Sequence, residues 1–315
     1  MKPFSLFPND SKFDFMRLRW VSLTIALLLL VAAIGAIAFK GFNFALDFTG
    51  GMGVELRFER PAEVDAVRER LRAAGYESAQ VQTLGTGTDL LVRLQPKQGQ
   101  DLAQTRADVQ RIATTEGNAA QAVSGEQVGA QVGKDLAIDG IWALIFVVVG
   151  FLIYISFRFE KKFAVAAVLT TLHDVVVVAG WFALTGHEFD LTVLAGLLSV
   201  MGYSINDTIV VFDRVRENFR SMRADPTTVL NVSINQTLSR TVITSLVALL
   251  TVLALYFYGG GSLRGMAEAQ MLGILIGTVS TIFIACPLLT LGVLAVTKQD
   301  LLPKARDEAA LARRP

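Results

Sequence analysis

Asp207 and Arg240 are the residues whose types and positions could do chemistry in this chain. Asp207 stands beside Asn206 inside the apolar run Leu191–Phe212. An ionisable side chain at membrane depth costs a few kcal/mol and must face protein or water. A carboxylate balanced between burial and a nearby cation takes up and releases protons near neutral pH. Arg240 supplies such a cation, at the head of a later apolar run. It reads either as a snorkelling headgroup contact or as a mobile partner for Asp207. His173 and Asp174 lie near the middle of another apolar run and form a second candidate. Adjacent helical residues point about 100° apart, so this pair reads as a second proton site or as a fixed polar packing contact.

Other chemistry is poorly supported. The run G-x-x-x-x-G-K-[ST] is missing, which argues against nucleotide hydrolysis. Two histidines and one cysteine, Cys286, leave little for a zinc site or a disulfide framework. Net charge is +1, with no global basic signal for nucleic acid. Gly259-Gly260-Gly261 reads as a flexible turn rather than a phosphate cradle.

The elements that must position these residues are membrane spans. The 315-residue chain is 52% hydrophobic and 18% charged, where a soluble domain carries about 25% charge. Six apolar runs are long enough to span: Trp20–Phe39, Leu136–Phe157, Phe163–Leu184, Leu191–Phe212, Val242–Tyr258 and Met271–Val296. The first has no clear cleavage site and reads as a retained anchor. Pro287 predicts a kink in the sixth rather than a stop. Lys and Arg set the orientation. They cluster at the N-terminus (Lys2, Lys12, Arg17, Arg19), at Arg158, Lys161 and Lys162, at Arg214–Arg240, and in the tail (Lys298, Lys304, Arg306, Arg313, Arg314). Six spans place all four segments on one side, so both termini are expected in the cytoplasm.

Residues 40–135 then form an extracytoplasmic insert. Gly53–Phe58 alternates with period two, and Pro61–Ala74 is helical, stopped by Gly75. Strands are expected at Gln80–Leu84 and Asp89–Leu94, turning at Gly85-Thr86-Gly87. A helix at Asp101–Thr115 and a strand at Ala119–Val123 complete a β-α-β-β-α-β order, a ferredoxin-like α+β domain. The expected fold is thus a polytopic α-helical membrane protein, six transmembrane helices with this domain between the first and second. Residues 1–39 hold the N-terminus and first span, 136–297 the remaining five, and 298–315 a cytoplasmic tail.

Within 136–297, residues 213–240 form a cytoplasmic loop. Asp213 and Arg214 continue the fourth span past the membrane surface. Asp225-Pro226 starts a short helix whose Leu230, Ile234 and Leu238 share one face, expected to lie on the membrane. On the fourth span, Gly196, Ser199, Tyr203, Asn206 and Asp207 form one broad stripe, expected to face a helix partner.

GYSINDTIVVFDRVREN, Gly202–Asn218, closely resembles the fourth-span signature of the SecF family of bacterial protein-export subunits. LDFTGG at Leu46–Gly51 resembles its other hallmark, and LHD at Leu172–Asp174, EFDLT at Glu188–Thr192 and QTLSRT at Gln236–Thr241 fit too. The resemblance runs from the first span through the sixth. It implies half of a twelve-span, resistance-nodulation-division type assembly in the bacterial inner membrane. SecD would be the other half. It implies association with the SecYEG channel, with YajC as a further associate, with SecA indirectly, with translocating preprotein and with membrane lipids. Protons are the implied coupling ion, with no cofactor and no nucleotide hydrolysis in this chain. By motif position, Asp207 and Arg240 are tied to proton transport. Asn206, His173, Asp174, Asp213 and Arg214 are supporting candidates, and Asp47, Gly50 and Gly51 a structural junction. Half of a small-molecule or lipid exporter and a passive translocon scaffold remain the alternative readings.

Overall fold

The computed structural model describes residues 11–77, 79–84, 87–97, 100–297 and 300. Gly85 and Thr86, the basic residues Lys2, Lys298, Lys304, Arg306, Arg313 and Arg314, and nearly all of the expected tail lie outside the described residues.

Among the described residues, six helices are long and apolar enough to cross a membrane. The first, α1, is Arg19–Phe39. It is followed by the short strand β1, Asn43–Phe44, and a single helical turn, α2, Leu46–Thr49. Then come β2 (Gly51–Phe58), α3 (Val64–Ala73), β3 (Gln80–Leu84), β4 (Asp89–Leu94), α4 (Leu102–Ala113) and β5 (Ala120–Val128). The remaining membrane-length helices are α5 (Ala130–Arg158), α6 (Lys161–Thr185), α7 (Leu191–Ser221), α8 (Pro226–Tyr258) and α9 (Gly261–Ser280). A two-residue strand, β6 (Glu188–Phe189), precedes α7.

The four strands between α2 and α5 form one antiparallel sheet in the order β3-β4-β2-β5. Period two explains its core. Met52, Val54, Leu56 and Phe58 face Val67 and Leu71 of α3 and Val109 of α4, all buried. Each such side chain contributes about 1.5–3 kcal/mol when fully buried. Asp101 caps α4 through a capping box with Gln104. Two expected boundaries are corrected. Pro61 lies outside α3, because the Ala62 amide instead bonds Gly87 O, 3.2 Å away, and keeps that segment extended. The last strand runs on to Val128, since it pairs with β2 along its length through a bulge at Glu55/Leu56.

The membrane helices differ from expectation in three places. The second begins at Ala130, six residues before the expected Leu136. The segment after Asp225, expected to be cytoplasmic, is not a separate helix lying on the membrane. It is the first part of α8, continuous with the fifth span, and its Leu230, Ile234 and Leu238 pack against Phe212, Val215 and Phe219 of α7. The same apolar face that would seek lipid finds protein. The sixth span starts at Leu263 and ends at Leu288, not Val296. Pro287 therefore marks its end. Just before it, Thr281–Ala285 winds as a π-turn. Pro287 offers no N–H to the carbonyl four residues back, inside that segment.

Small residues set the helix spacing, as expected where lipid is as apolar as the side chains. A methyl group on Gly273 of α9 would overlap the side chain of Val200 of α7, and one on Gly180 of α6 would overlap Ala33 of α1.

Candidate functional site

Asp207 lies in the middle of α7 and is 6% exposed. Its Oδ1 accepts a hydrogen bond from Thr241 Oγ1 of α8 at 3.0 Å, while Oδ2 is buried with no hydrogen-bond partner. Such an orphaned oxygen is costly in a dry interior. A protonated carboxyl, or a partner brought by another chain or a moving side chain, would relieve it. Arg240 precedes Thr241 but is exposed, and no ion pair or hydrogen bond joins it to Asp207. It bears on Asp207 only through space.

Below Thr241, Ser245 Oγ donates to the Thr241 carbonyl at 2.7 Å and accepts from Tyr203 Oη of α7 at 2.7 Å. Hydroxyls thus line the α7–α8 contact around the carboxylate.

His173 and Asp174 are in contact, although adjacent helical residues point about 100° apart. Asp174 is 0% exposed. Its Oδ1 lies 3.1 Å from His173 Nδ1, and Oδ2 accepts from Ser204 Oγ of α7 at 2.7 Å and Ser280 Oγ of α9 at 2.6 Å. His173 Nε2 lies 3.2 Å from the carbonyl of Ala26 on α1. The His173–Asp174 pair therefore joins four membrane helices. The π-turn begins directly after Ser280, where Thr281 Oγ1 lies 3.1 Å from Thr208 Oγ1 of α7. Single-turn π segments recur at functional sites.

Other candidates are placed elsewhere. Asn206 is exposed on the outer face of α7, as is Ser199, so the expected stripe splits. Gly196 faces α9, with the Met266 carbonyl 3.0 Å from where its methyl would stand. Tyr203 and Asp207 face α8. A 100° step per residue carries Asn206 away from Asp207. Asp213 pairs with Arg158 at 2.7 Å and Arg214 with Glu217 at 2.9 Å, a separate set of charges at the helix ends. Asp47 Oδ2 accepts from the Leu191 amide at 3.0 Å, at the start of α7. Gly50 and Gly51 have φ of 65° and 125°, values that side chains rarely tolerate. A methyl on Gly51 would also meet the Leu94 carbonyl at 3.0 Å. Cys286 is buried and free.

Sequence reasoning missed Ser204, Ser280, Thr208 and Thr281. Their only signal is spacing, since Ser204 and Thr208 share a face at i, i+4. It also missed a buried charge at the junction between the sheet and the helices. Arg93 of β4, 5% exposed, pairs with Glu188 of β6. Burial pulls its guanidinium down to about 10, against the opposing pull of Asp190 and Asp47. Asp190 itself caps α7, accepting from the Val193 amide at 2.7 Å. Among the described residues, no group of three His, Cys, Asp or Glu could hold a metal ion.

Known proteins carry the same framework. Residues 108–294 match the family model for the C-terminal part of the protein export membrane proteins SecD/SecF, and residues 35–62 match the SecD/SecF GG motif. The protein translocase subunit SecF of Pseudomonas aeruginosa is 45% identical over 93% of this chain and 95% of its own length. SecF of Escherichia coli O157:H7 is 43% identical, covering 88% of this chain and 86% of that protein. The crystal structure of SecDF from Thermus thermophilus, a translocon-associated membrane protein, superposes with a TM-score of 0.82 at 39% identity. That match covers 91% of this chain and 39% of the SecDF chain, so this chain spans about two fifths of SecDF. With these motifs in order on six membrane-length helices, the chain belongs to the SecD/SecF family of protein-export membrane proteins, within its SecF branch.

Proposed function

We propose that this chain works in Sec protein export as the SecF-type half of a SecDF-type unit, using the proton motive force to draw preproteins outward. SecD is the partner half. SecYEG, with YajC as a further associate, is the channel it serves, SecA acts upstream, and no nucleotide is hydrolysed by this chain. The unit sits in the bacterial inner membrane with both termini cytoplasmic, and the α+β domain, ferredoxin-like in its order, stands outside. The observation that carries the reading is Asp207. It is a carboxylate buried between two membrane helices, with one oxygen bonded to Thr241 and the other bare. Asp207 binds and releases the coupling proton, and Arg240 approaches it during the cycle to favour release. A charge that must stay buried and half-satisfied is a poor structural device, which sets this reading above a passive scaffold.

The test is Asp207→Asn in inner-membrane vesicles that carry the SecD partner. The variant should assemble with its partner at the normal level and lose nearly all proton-dependent stimulation of export. Full stimulation in an assembled Asp207→Asn complex would favour the scaffold.

A further inference from the structure

The first helix leaves a gap beside the sixth span. α1 leans on α6, Ala33 against Gly180, and stands away from α9. The groove between them encloses about 460 Å³ and is almost wholly apolar. Leu18, Ile25 and Leu29 form one wall, Leu275 and Val279 the other, and His173 closes the floor. Leu18 to Leu29 spans about 16 Å as helix, roughly half of the ~30 Å hydrocarbon core. The opposite wall comes from the last part of an antiparallel helix, so both walls belong to the same half of the membrane.

The rim carries charge of one sign. Arg17, exposed, and Arg19, half-buried, flank Leu18, the first residue of the groove wall, in sequence, and neither makes an ion pair among the described residues. Lys12 is exposed close by in sequence and likewise forms no ion pair. The one acid in this segment, Asp14, is engaged by Asn231 Nδ2 at 2.7 Å and by the Arg17 amide at 3.1 Å. A slot one leaflet deep with free cations at its mouth has the shape and charge of a phospholipid: apolar chain inside, phosphate outside.

We propose that the α1–α9 groove holds one acyl chain of an anionic phospholipid of the cytoplasmic leaflet, with its phosphate on Arg17 and Arg19. This rests on the orientation given above, with the N-terminus cytoplasmic. The chain lies over His173 and shields the side of α6 that carries the His173–Asp174 contact. Any lipid coats a membrane protein; the claim is a retained lipid, selected by headgroup charge. Two surface cations favour an anionic headgroup by roughly thirtyfold.

The test uses the full chain with its SecD partner in nanodiscs, doped with phosphatidylglycerol carrying a diazirine on one acyl chain. Cross-links mapped by mass spectrometry should concentrate in residues 18–29 and 275–284. Unlabelled phosphatidylglycerol should compete roughly thirtyfold better than phosphatidylcholine. Arg17→Gln with Arg19→Gln should abolish that preference, and Arg17→Gln alone, at an exposed position, should weaken it. Leu275→Trp with Val279→Trp should displace the chain. Both positions are more than half exposed, at 51% and 56%, so larger side chains fit without breaking the core. Labelling spread evenly over the exposed residues Ile141 and Phe146 of α5 would show ordinary surrounding lipid and overturn the proposal. Equal competition by the two lipids, or protein–protein cross-links showing the partner seated in the groove, would overturn it as well. Labelling of Lys12→Cys by an impermeant maleimide in inverted vesicles reads orientation separately, so a failure there is told apart from a failure of lipid binding.

Discussion

Thr241 gives Asp207 its hydrogen bond within this chain, and the change that removes only that bond is Thr241→Val. A hydrogen bond to a charged group contributes about 1.5–3 kcal/mol. Thr241→Val should therefore lower the unfolding midpoint of the purified complex and reduce proton-driven export, whereas Thr241→Ser should restore both. Unfolding scans and vesicle assays on the two variants decide it. Asp174 behaves differently, because both its oxygens are satisfied. Ser204→Ala and Ser280→Ala share one carboxylate oxygen, so their effects on thermal stability should be non-additive in a double-mutant cycle. At this scale the sequence exposes charges and hides hydroxyls. A carboxylate in an apolar run violates the surrounding chemistry. A serine there can bond its own helix, as Thr170 does with the Ala166 carbonyl, and so gives no sign of a distant partner.

Helix α8 shows what pattern can and cannot tell about an element. Its start is plain from Asp225-Pro226, and the Asp225 carboxylate accepts from the Thr228 amide at 3.1 Å. Hydrogen bonds from Thr227, then Thr228, hold Asp225 well below the usual carboxylate range. A depressed carboxylate stabilises the folded form above its unfolded value, and that contribution fades as pH falls below about 4. Amide protection at Thr228 and Val229, relative to the intrinsic exchange rate, should thus fall below that pH, and at neutral pH in Asp225→Ala but not in Asp225→Asn. What the pattern does not give is the environment of the apolar face, because leucines four residues apart suit a lipid surface or a protein neighbour equally. The strands of the soluble unit are more legible, since period two means one buried face wherever the sheet sits. Helix spacing was legible only as scattered glycines. Gly273→Ala should push α9 away from Val200, an overpacking cost of about 1–3 kcal/mol, visible as a lower unfolding midpoint with partner binding retained.

For the molecule as a whole, the join between sheet and helices rests on Arg93. It is one buried cation near three acids, Glu188, Asp47 and Asp190. Removing one partner of a buried pair costs about 3–5 kcal/mol. Arg93→Gln should accordingly accelerate amide exchange at Leu191 and Val193, and adding Glu188→Gln should return part of the protection. Nothing in the sequence marks Arg93, because an arginine in a strand looks solvated until the second face of the sheet is seen to meet Leu46 of α2 and Glu188 of β6. The same region joins β1 to β6 as a parallel pair, Asn43 with Glu188 and Phe44 with Phe189. With Asp47 holding the Leu191 amide, that pairing pins one end of α7. Asp207 lies sixteen residues along, about 24 Å from the pin. Were the α+β unit to move, α7 would act as a lever with its fulcrum at that foot. A tilt of about 10° carries the carboxylate about 4 Å, farther than the 3.0 Å that separates it from Thr241. A swing of that size is enough to change which group Asp207 touches.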